Sequence, residues 1–398
     1  MSAPVLVLVE SNTTGTGRDF ALAARALGLR PVLLTKGERH YPYAAELDLD
    51  IRLTDTTSPV AVRETCVALP GLCGITSSSE YFVGTAAQVA RELGLPGVDP
   101  AGIALCRDKL AARYHLRGRG APDFAGCTTP RAVAAAARRF GRVVVKPSHG
   151  SGSVGVRACA DPVQAEWWGR RLFADGVPMV LVEREITGPE FSVEVVAGQI
   201  VGVTAKHLGP SPYFVEHGHD FPAPVRPSVT GALSTAALDA LRACGLPDGT
   251  AHLEYRWADD RPWLIEINPR LAGGLIPRLV RHALGRDLVT EVVALAAGTT
   301  TVPVGDQRAH ASIRFVVPAA GRVTSVSGAD DARRMPGVVE ADCAVAPGQH
   351  IVPDNSFTDR RGHVMAVGPT AAATINRAEA AHACIRITVA PDPVPAVR

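Results

Sequence analysis

The chain opens on a short unbroken apolar run, PVLVLVE, which predicts a strand buried on both faces. After SNTTGTGR the apolar positions fall at helical spacing in DFALAARALGLR, and PVLLT returns to a strand. The same alternation runs on through GLCGITSSSE and GTAAQVARELG, so residues 1–100 are expected to form a small parallel sheet with helices on its faces. From Ala101 to Pro130 a helix-like stretch leads into RGRGAPDFAGCTTP, whose Gly and Pro residues read as a connector. Helix PRAVAAAARRFG, strand RVVVKP, loop SHGSGSVGV, helix DPVQAEWWGRRLFADG and strand PMVLVERE come next. FSVEVVAGQIVGVTAKHL reads as a hairpin turning at Ala197 and Gly198.

The segment HLGPSPYFVEHGHDFPAPVRPS carries neither period, and its Pro, Gly, His and aromatic content predicts an ordered surface loop. Helix STAALDALRACGLP precedes AHLEYRWADDRPWLIEIN, a second hairpin with Asp259 and Asp260 at its tip. Beyond residue 300, ASIRFVVP, GRVTSVSG and IRITVAP predict a β-rich third unit over 301–398, whose last residues, PDPVPAVR, are expected to fray. A length of 398 residues, at about 150 per domain, agrees with two or three units. The fold class expected is α/β and α+β.

Charge and composition narrow the function. The net charge is only +2, so no single-sign field points to nucleic acid as a partner. No apolar run reaches the roughly 18 residues of a membrane span, and the N-terminus carries no basic leader, which predicts no membrane partner and a cytoplasmic protein. The eight cysteines are scattered without a C-x-x-C pair, as packed, reduced thiols would be. Only four of the 41 basic residues are lysines: Lys36, Lys109, Lys146 and Lys206. In a chain that writes its positive charge as Arg, a retained Lys can mark a place where a compact ammonium is needed.

Three segments carry candidate chemistry; a fourth is a lure. Gly15 and Gly17 give G-x-G, but Phe20 stands where a dinucleotide fingerprint needs its third glycine, so a tight strand-to-helix turn is the better reading. In VVVKPSHGSGSVGV, Lys146 ends a strand, and Ser148, Gly150, Ser151, Ser153 and Gly155 form a flexible strip of N–H and hydroxyl donors that could close over a triphosphate. A solvated hairpin turn is the competing reading. In HLEYRWADDRPWLIEINPRLAGG, Glu254 and, two apart on the partner strand, Glu266 and Asn268 could converge as oxygen ligands for Mg²⁺ or Mn²⁺, with Arg270 beside them. The buried look of Leu264, Ile265 and Ile267 argues against the alternative, an exposed hairpin with solvated acids. In VEREITGPEFSVEVV, the connector between Glu183 and Glu190 frees backbone groups that can read an adenine edge. His217 and His219 lack a third ligand and read as polar loop residues rather than zinc ligands.

In this order the segments resemble the ATP-grasp superfamily over residues 101–300. The resemblance implies an ATP-grasp fold: an N-terminal parallel-sheet domain, a central nucleotide-binding region with a lid over 130–186 and a larger part over 187–300, and a β-rich C-terminal domain. It implies ATP contacts by Lys109 (in CRDKLAARY), Lys146, the 148–155 loop, Glu183, Arg184 and Ile186, with Glu190 on the ribose. It implies metal binding by Glu254, Glu266 and Asn268, and catalytic roles for Arg270, Lys146 and Lys109. Within the superfamily, KHLGPSPYFVEHGHDFPAP and INPRLAGG are similar to segments of carboxylate–amine ligases of the L-amino acid ligase type, which points to Lys206, Glu216, His219, Arg270, Gly273 and Gly274 as substrate contacts. The implied partners are an amino-acid or other carboxylate and an amine; a homodimer is compatible with the family, although no interface is legible in the chain. Two alternatives stay open: activation of another acid, such as bicarbonate, formate or a carrier-bound acyl group, and a nucleotide-binding module without turnover.

Overall fold

The computed structural model describes residues 3–12, 16–37, 41–299 and 308–390. Gly15 of the G-x-G pair, the junction at 300–307 and the PDPVPAVR end lie outside them.

The N-terminal run does form a parallel sheet, in the order Asp50–Leu53, Arg30–Thr35, Val5–Val9, Leu72–Thr76. Period two divides its first strand. Leu6 and Leu8 pack with Phe20 and Leu33, while Val5, Val7 and Val9 pack with Val62 and Val89 on the other face. A helix from far along the chain, Leu288–Ala296, completes the first of these faces through Val289 and Val293. The parallel sheet is therefore tied to the middle of the chain by shared apolar surface.

A second sheet joins Phe124–Cys127, Val180–Arg184, Val143–Pro147 and Arg157–Cys159, all antiparallel. Helices Pro130–Phe140 and Pro162–Ala174 cover it around Val133, Val145, Trp168, Leu172 and Val182. Here the sequence reading is corrected: Phe124–Cys127, expected within a connector, is an edge strand of this sheet.

The third sheet has eight strands, ordered Arg261–Asn268, Ala251–Ala258, Glu190–Val196, Gln199–Leu208, Glu216–Phe221, His310–Phe315, Gly362–Gly368, Val338–Cys343. Glu216–Phe221 is the second correction, since the segment expected to be a surface loop holds an interior strand whose Gly218, His219, Asp220 and Phe221 are buried. Buried polar residues hide its alternation, and Asp220 is satisfied by its partners: it accepts from Arg314 at 2.9 Å and lies 2.6 Å from His207. The residues after 308 add three strands to this sheet and build a small one of their own from His350–Ile351, Gly321–Ser327 and Arg386–Ala390.

Both expected hairpin tips are present, with Ala197 and Gly198 at φ 49° and 69° and Asp259 and Asp260 at 51° and 53°. From the second tip the ladder pairs Ala258 with Arg261 and continues to Tyr255 with Leu264; there one extra residue, Ile265, shifts it so that Glu254 faces Glu266. Without that bulge Glu266 would share the core face with Leu264.

Candidate active site

The bulge sets two carboxylates side by side above the core formed by Leu253, Tyr255, Leu264 and Ile267. His252 and Asn268 are the next pair along the ladder. Two like charges on a mostly buried strand pair need cations, and lysines supply them. Lys109 opens helix Lys109–His115, where the Asp108 side chain caps the Leu110 and Ala111 amides. Its Nζ lies 2.8 Å from Glu266 Oε1 and donates to the Gly150 carbonyl at 2.5 Å. Burial works against the Lys109 charge, yet the Glu266 carboxylate outweighs it and raises the ammonium above its usual pKa. Glu266 is lowered in return: burial pushes it up and Lys109 pulls it further down.

Lys146 reaches the same region from strand Val143–Pro147, its Nζ 2.5 Å from Glu183 Oε2. Burial, with Arg113 and Lys109 nearby, lowers its pKa, partly offset by Glu183. Glu183 also pairs with Arg113, whose Nη2 in turn donates to the carbonyl of Ile265, the bulge residue. The carboxylate expected to lie near an adenine is thus turned inward, where it anchors Lys146. Arg184 lies over the Trp263 ring at 4.7 Å and Ile186 is buried, while Thr187, Gly188 and Pro189 are exposed.

Lys206, expected to hold substrate, is instead an internal hub. Its Nζ sits 2.5 Å from Glu254, 2.7 Å from Glu216 and 3.2 Å from Glu190. Against the cost of burial these three charges drive its pKa well above that of a free lysine. Glu190 is held on its other oxygen by Arg256 at 2.9 Å. His252 completes the frame, with Nδ1 3.0 Å from Glu194 and Nε2 3.0 Å from Glu254. Burial disfavours its charge, but Glu194 and Glu254 hold the imidazolium up to a pKa of about 9.

The remaining candidates gather at one end of this network. Arg270 pairs with Glu80, Nη2 to Oε2 2.5 Å, and its Nη1 donates to the Leu271 carbonyl. Its charge, expected beside the metal-binding acids, is engaged by Glu80 of the parallel-sheet region. Glu216 accepts from Arg360 at 2.7 Å, and fully buried His219 lies 3.2 Å from Glu216 and edge-on to Phe315. A Cβ on Gly273 would meet nothing within 4 Å, whereas one on Gly274 would come within 2.5 Å of His219 Cε1. Residue 274, at φ +59°, is thus glycine by space and by backbone.

The 148–155 loop lies over these acids. Ser148 is buried and its carbonyl accepts from the Lys109 amide; the Ser151 hydroxyl lies 3.2 Å from that of Tyr81, and Ser153 Oγ donates to the Phe214 carbonyl at 3.2 Å. Gly150 and Gly155 adopt φ of +131° and +73°. The donor set of Glu254, Glu266 and Asn268 is all oxygen, as hard divalent cations require. Among the described residues no group of three or more His, Cys, Asp or Glu side chains is arranged to hold a metal ion by itself.

Comparison with known proteins identifies the family. Residues 140–278 match the ATP-grasp domain model, and residues 314–390 match the L-amino acid ligase C-terminal domain 2. Protein y4rH of Sinorhizobium fredii (strain NBRC 101917 / NGR234) is 34% identical over 378 residues, covering 92% of this chain and 79% of that one. The chain belongs to the ATP-grasp family of carboxylate–amine ligases. Carnosine synthase 1 of Gallus gallus is 32% identical over 54% of this ATP-grasp ligase, which spans only 26% of that longer protein. The crystal structure of an L-amino acid ligase from Bacillus licheniformis superimposes with a TM-score of 0.80 at 20% identity, covering 98% of this chain and all of that one, and so shares the fold.

Several members of the site had not been singled out from the sequence: Glu80, Tyr81, Arg113, His252 and Arg360. Glu80 carried a usable signal, since it follows a strand of a parallel sheet at the carboxyl end, where such folds bind ligands. The others act chiefly through partners distant in the chain, 58 residues for His252 with Glu194, 70 for Tyr81 with Ser151 and for Arg113 with Glu183, and 144 for Arg360 with Glu216, and leave no local pattern.

Proposed function

We propose that this ATP-grasp ligase uses ATP to activate an amino-acid carboxylate and joins it to an amine, forming a dipeptide or related amide with release of ADP and phosphate. The observation that carries the reading is the pairing of Glu266, across the ladder from Glu254, with Lys109, which also donates to Gly150 of the 148–155 loop, beside the buried Lys146 ammonium on Glu183. The carboxylate oxygen attacks the γ-phosphorus, ADP departs, and an acyl phosphate forms. The amine nitrogen then attacks the acyl carbon and phosphate leaves. Lys109 and Lys146 offset phosphate charge, backbone groups of the 183–186 connector meet the base with Glu190 toward the ribose, and the 130–186 lid excludes water. Glu254, Glu266 and Asn268 would hold Mg²⁺ or Mn²⁺, which when bound neutralises the phosphate oxygens. Glu216, Arg270 and the Gly273–Gly274 turn would hold the two substrates, with buried His219 behind Glu216 and Gly274. Eight free cysteines suit a reducing, cytoplasmic setting.

The test is a mass-spectrometric screen of paired amino acids with ATP. A product at the summed mass less one water, formed with stoichiometric ADP, supports the reading. ADP release triggered only by bicarbonate, formate or a carrier-linked acid would replace it with the wider ATP-grasp chemistry. Glu216→Ala separates substrate binding from activation. Lys206 keeps Glu190 and Glu254, so the KM of one substrate should rise about tenfold or more, some 1.4 kcal/mol, with kcat for ADP changing far less. An equal fall in kcat and kcat/KM would contradict that role.

A further inference from the structure

One turn of the C-terminal region touches both halves of the site. Residues 354–359 are knitted by their own side chains: Asp359 accepts from the amides of Asp354 at 3.1 Å and Asn355 at 2.8 Å, while Asp354 accepts from Ser356 Oγ at 2.7 Å and Thr358 Oγ1 at 2.5 Å. Ser356 and Asp359 are buried, so this is a rigid platform and not a loose loop. From it the Phe357 amide donates to the Gly152 carbonyl at 3.1 Å, and the Phe357 ring lies so close that a Cβ on Gly152 would be 2.3 Å from its Cδ1. Three residues on, Arg360 Nε donates to the Phe357 carbonyl at 3.2 Å, its Nη1 to Glu216 Oε2 at 2.7 Å, and its guanidinium lies over Phe315 at 4.6 Å.

The Phe357 side chain is a large apolar group left 48% exposed, and the lid loop is the surface it covers. Gly152 supplies both what the contact needs: φ of +66° and no side chain. We infer that the 354–360 turn is a latch that couples lid closure to the acid cluster, Phe357 holding the 148–155 loop shut at Gly152 and Arg360 fixing Glu216. Both are positioning residues. The inference rests on the ligase reading above and adds to it a means of keeping water from the acyl phosphate. Water attacking the acyl carbon would release phosphate and regenerate the free acid, consuming ATP without making an amide.

The consequence is measurable as coupling. Wild-type enzyme should release close to one ADP per amide formed. Phe357→Ala, a change at an exposed side chain, should raise that ratio about threefold or more with an unchanged melting temperature, and Phe357→Tyr should restore it. Hydrogen exchange read with a non-hydrolysable ATP analogue supplies a measurement independent of turnover. The analogue should slow exchange in 148–155 and 354–360 together in wild type, and in Phe357→Ala should slow it in 148–155 much less. A variant with the wild-type ratio and wild-type exchange overturns the latch. Joint protection in a wild-type protein that forms no amide with any pair keeps the latch and overturns the ligase reading instead.

Discussion

Glu266→Gln should stop ADP formation and leave the protein folded. Glu266 faces Glu254 directly across the ladder, and the two supply the only charged oxygens of the proposed metal site. Gln keeps the shape and an oxygen acceptor for Lys109, but halves the negative charge offered to a divalent ion. Losing about 4 kcal/mol of transition-state stabilisation would cut kcat roughly 10³-fold. The stability cost should stay below the roughly 3–5 kcal/mol of breaking a buried pair outright, because Lys109 keeps its bond to the Gly150 carbonyl at 2.5 Å. ADP release at saturating substrates across a Mg²⁺ series, beside a melting curve, checks both parts. Turnover within tenfold of wild type at every Mg²⁺ concentration would remove Glu266 from the metal site.

Lys146→Met is the second large effect. The ammonium is buried, and it is the one cation of the strand that leads into the 148–155 loop. Its lowered pKa reflects burial and the neighbouring Arg113 and Lys109, so the site gains by placing anionic phosphate beside it. Removing it should lower kcat/KM for ATP by about 10³-fold or more, mostly as a higher KM for ATP. Unlike most deletions of a buried charge, this one leaves its partner satisfied: Glu183 still pairs with Arg113. The fold should therefore survive, and an isothermal titration with the non-hydrolysable analogue can be read without the confusion of unfolding. Affinity within threefold of wild type would show that Lys146 serves Glu183 rather than phosphate.

The lysine count proves to have physical content. Lys109, Lys146 and Lys206 meet the acids of the site, whereas Lys36 is an exposed residue paired with Asp55. Lys206 shows why most plainly: three carboxylates converge on its one small ammonium, which a planar fork could not satisfy in the same space.

Local pattern was enough for the parallel sheet, the helices Pro130–Phe140 and Pro162–Ala174 and the hairpins at Ala197–Gly198 and Asp259–Asp260, because each depends on periodicity or on turn residues that tolerate positive φ. Pattern failed at Glu216–Phe221, where paired polar groups stand in for apolar ones, and at Phe124–Cys127, where Gly and Pro neighbours read as a connector. Which residues could supply chemistry was written in the sequence: two acids and an amide at strand spacing, lysines beside glycines. Where those groups point was not. One extra residue at Ile265 turns Glu266 from the core face to the site face, and Arg113 binds that residue's carbonyl from 152 positions away. The pairing of Arg270 with Glu80 and of Glu216 with Arg360 was likewise decided only in three dimensions. Residue type and spacing fix a side chain's chemistry; its charge partner depends on how distant strands come together, and local sequence carries no record of that.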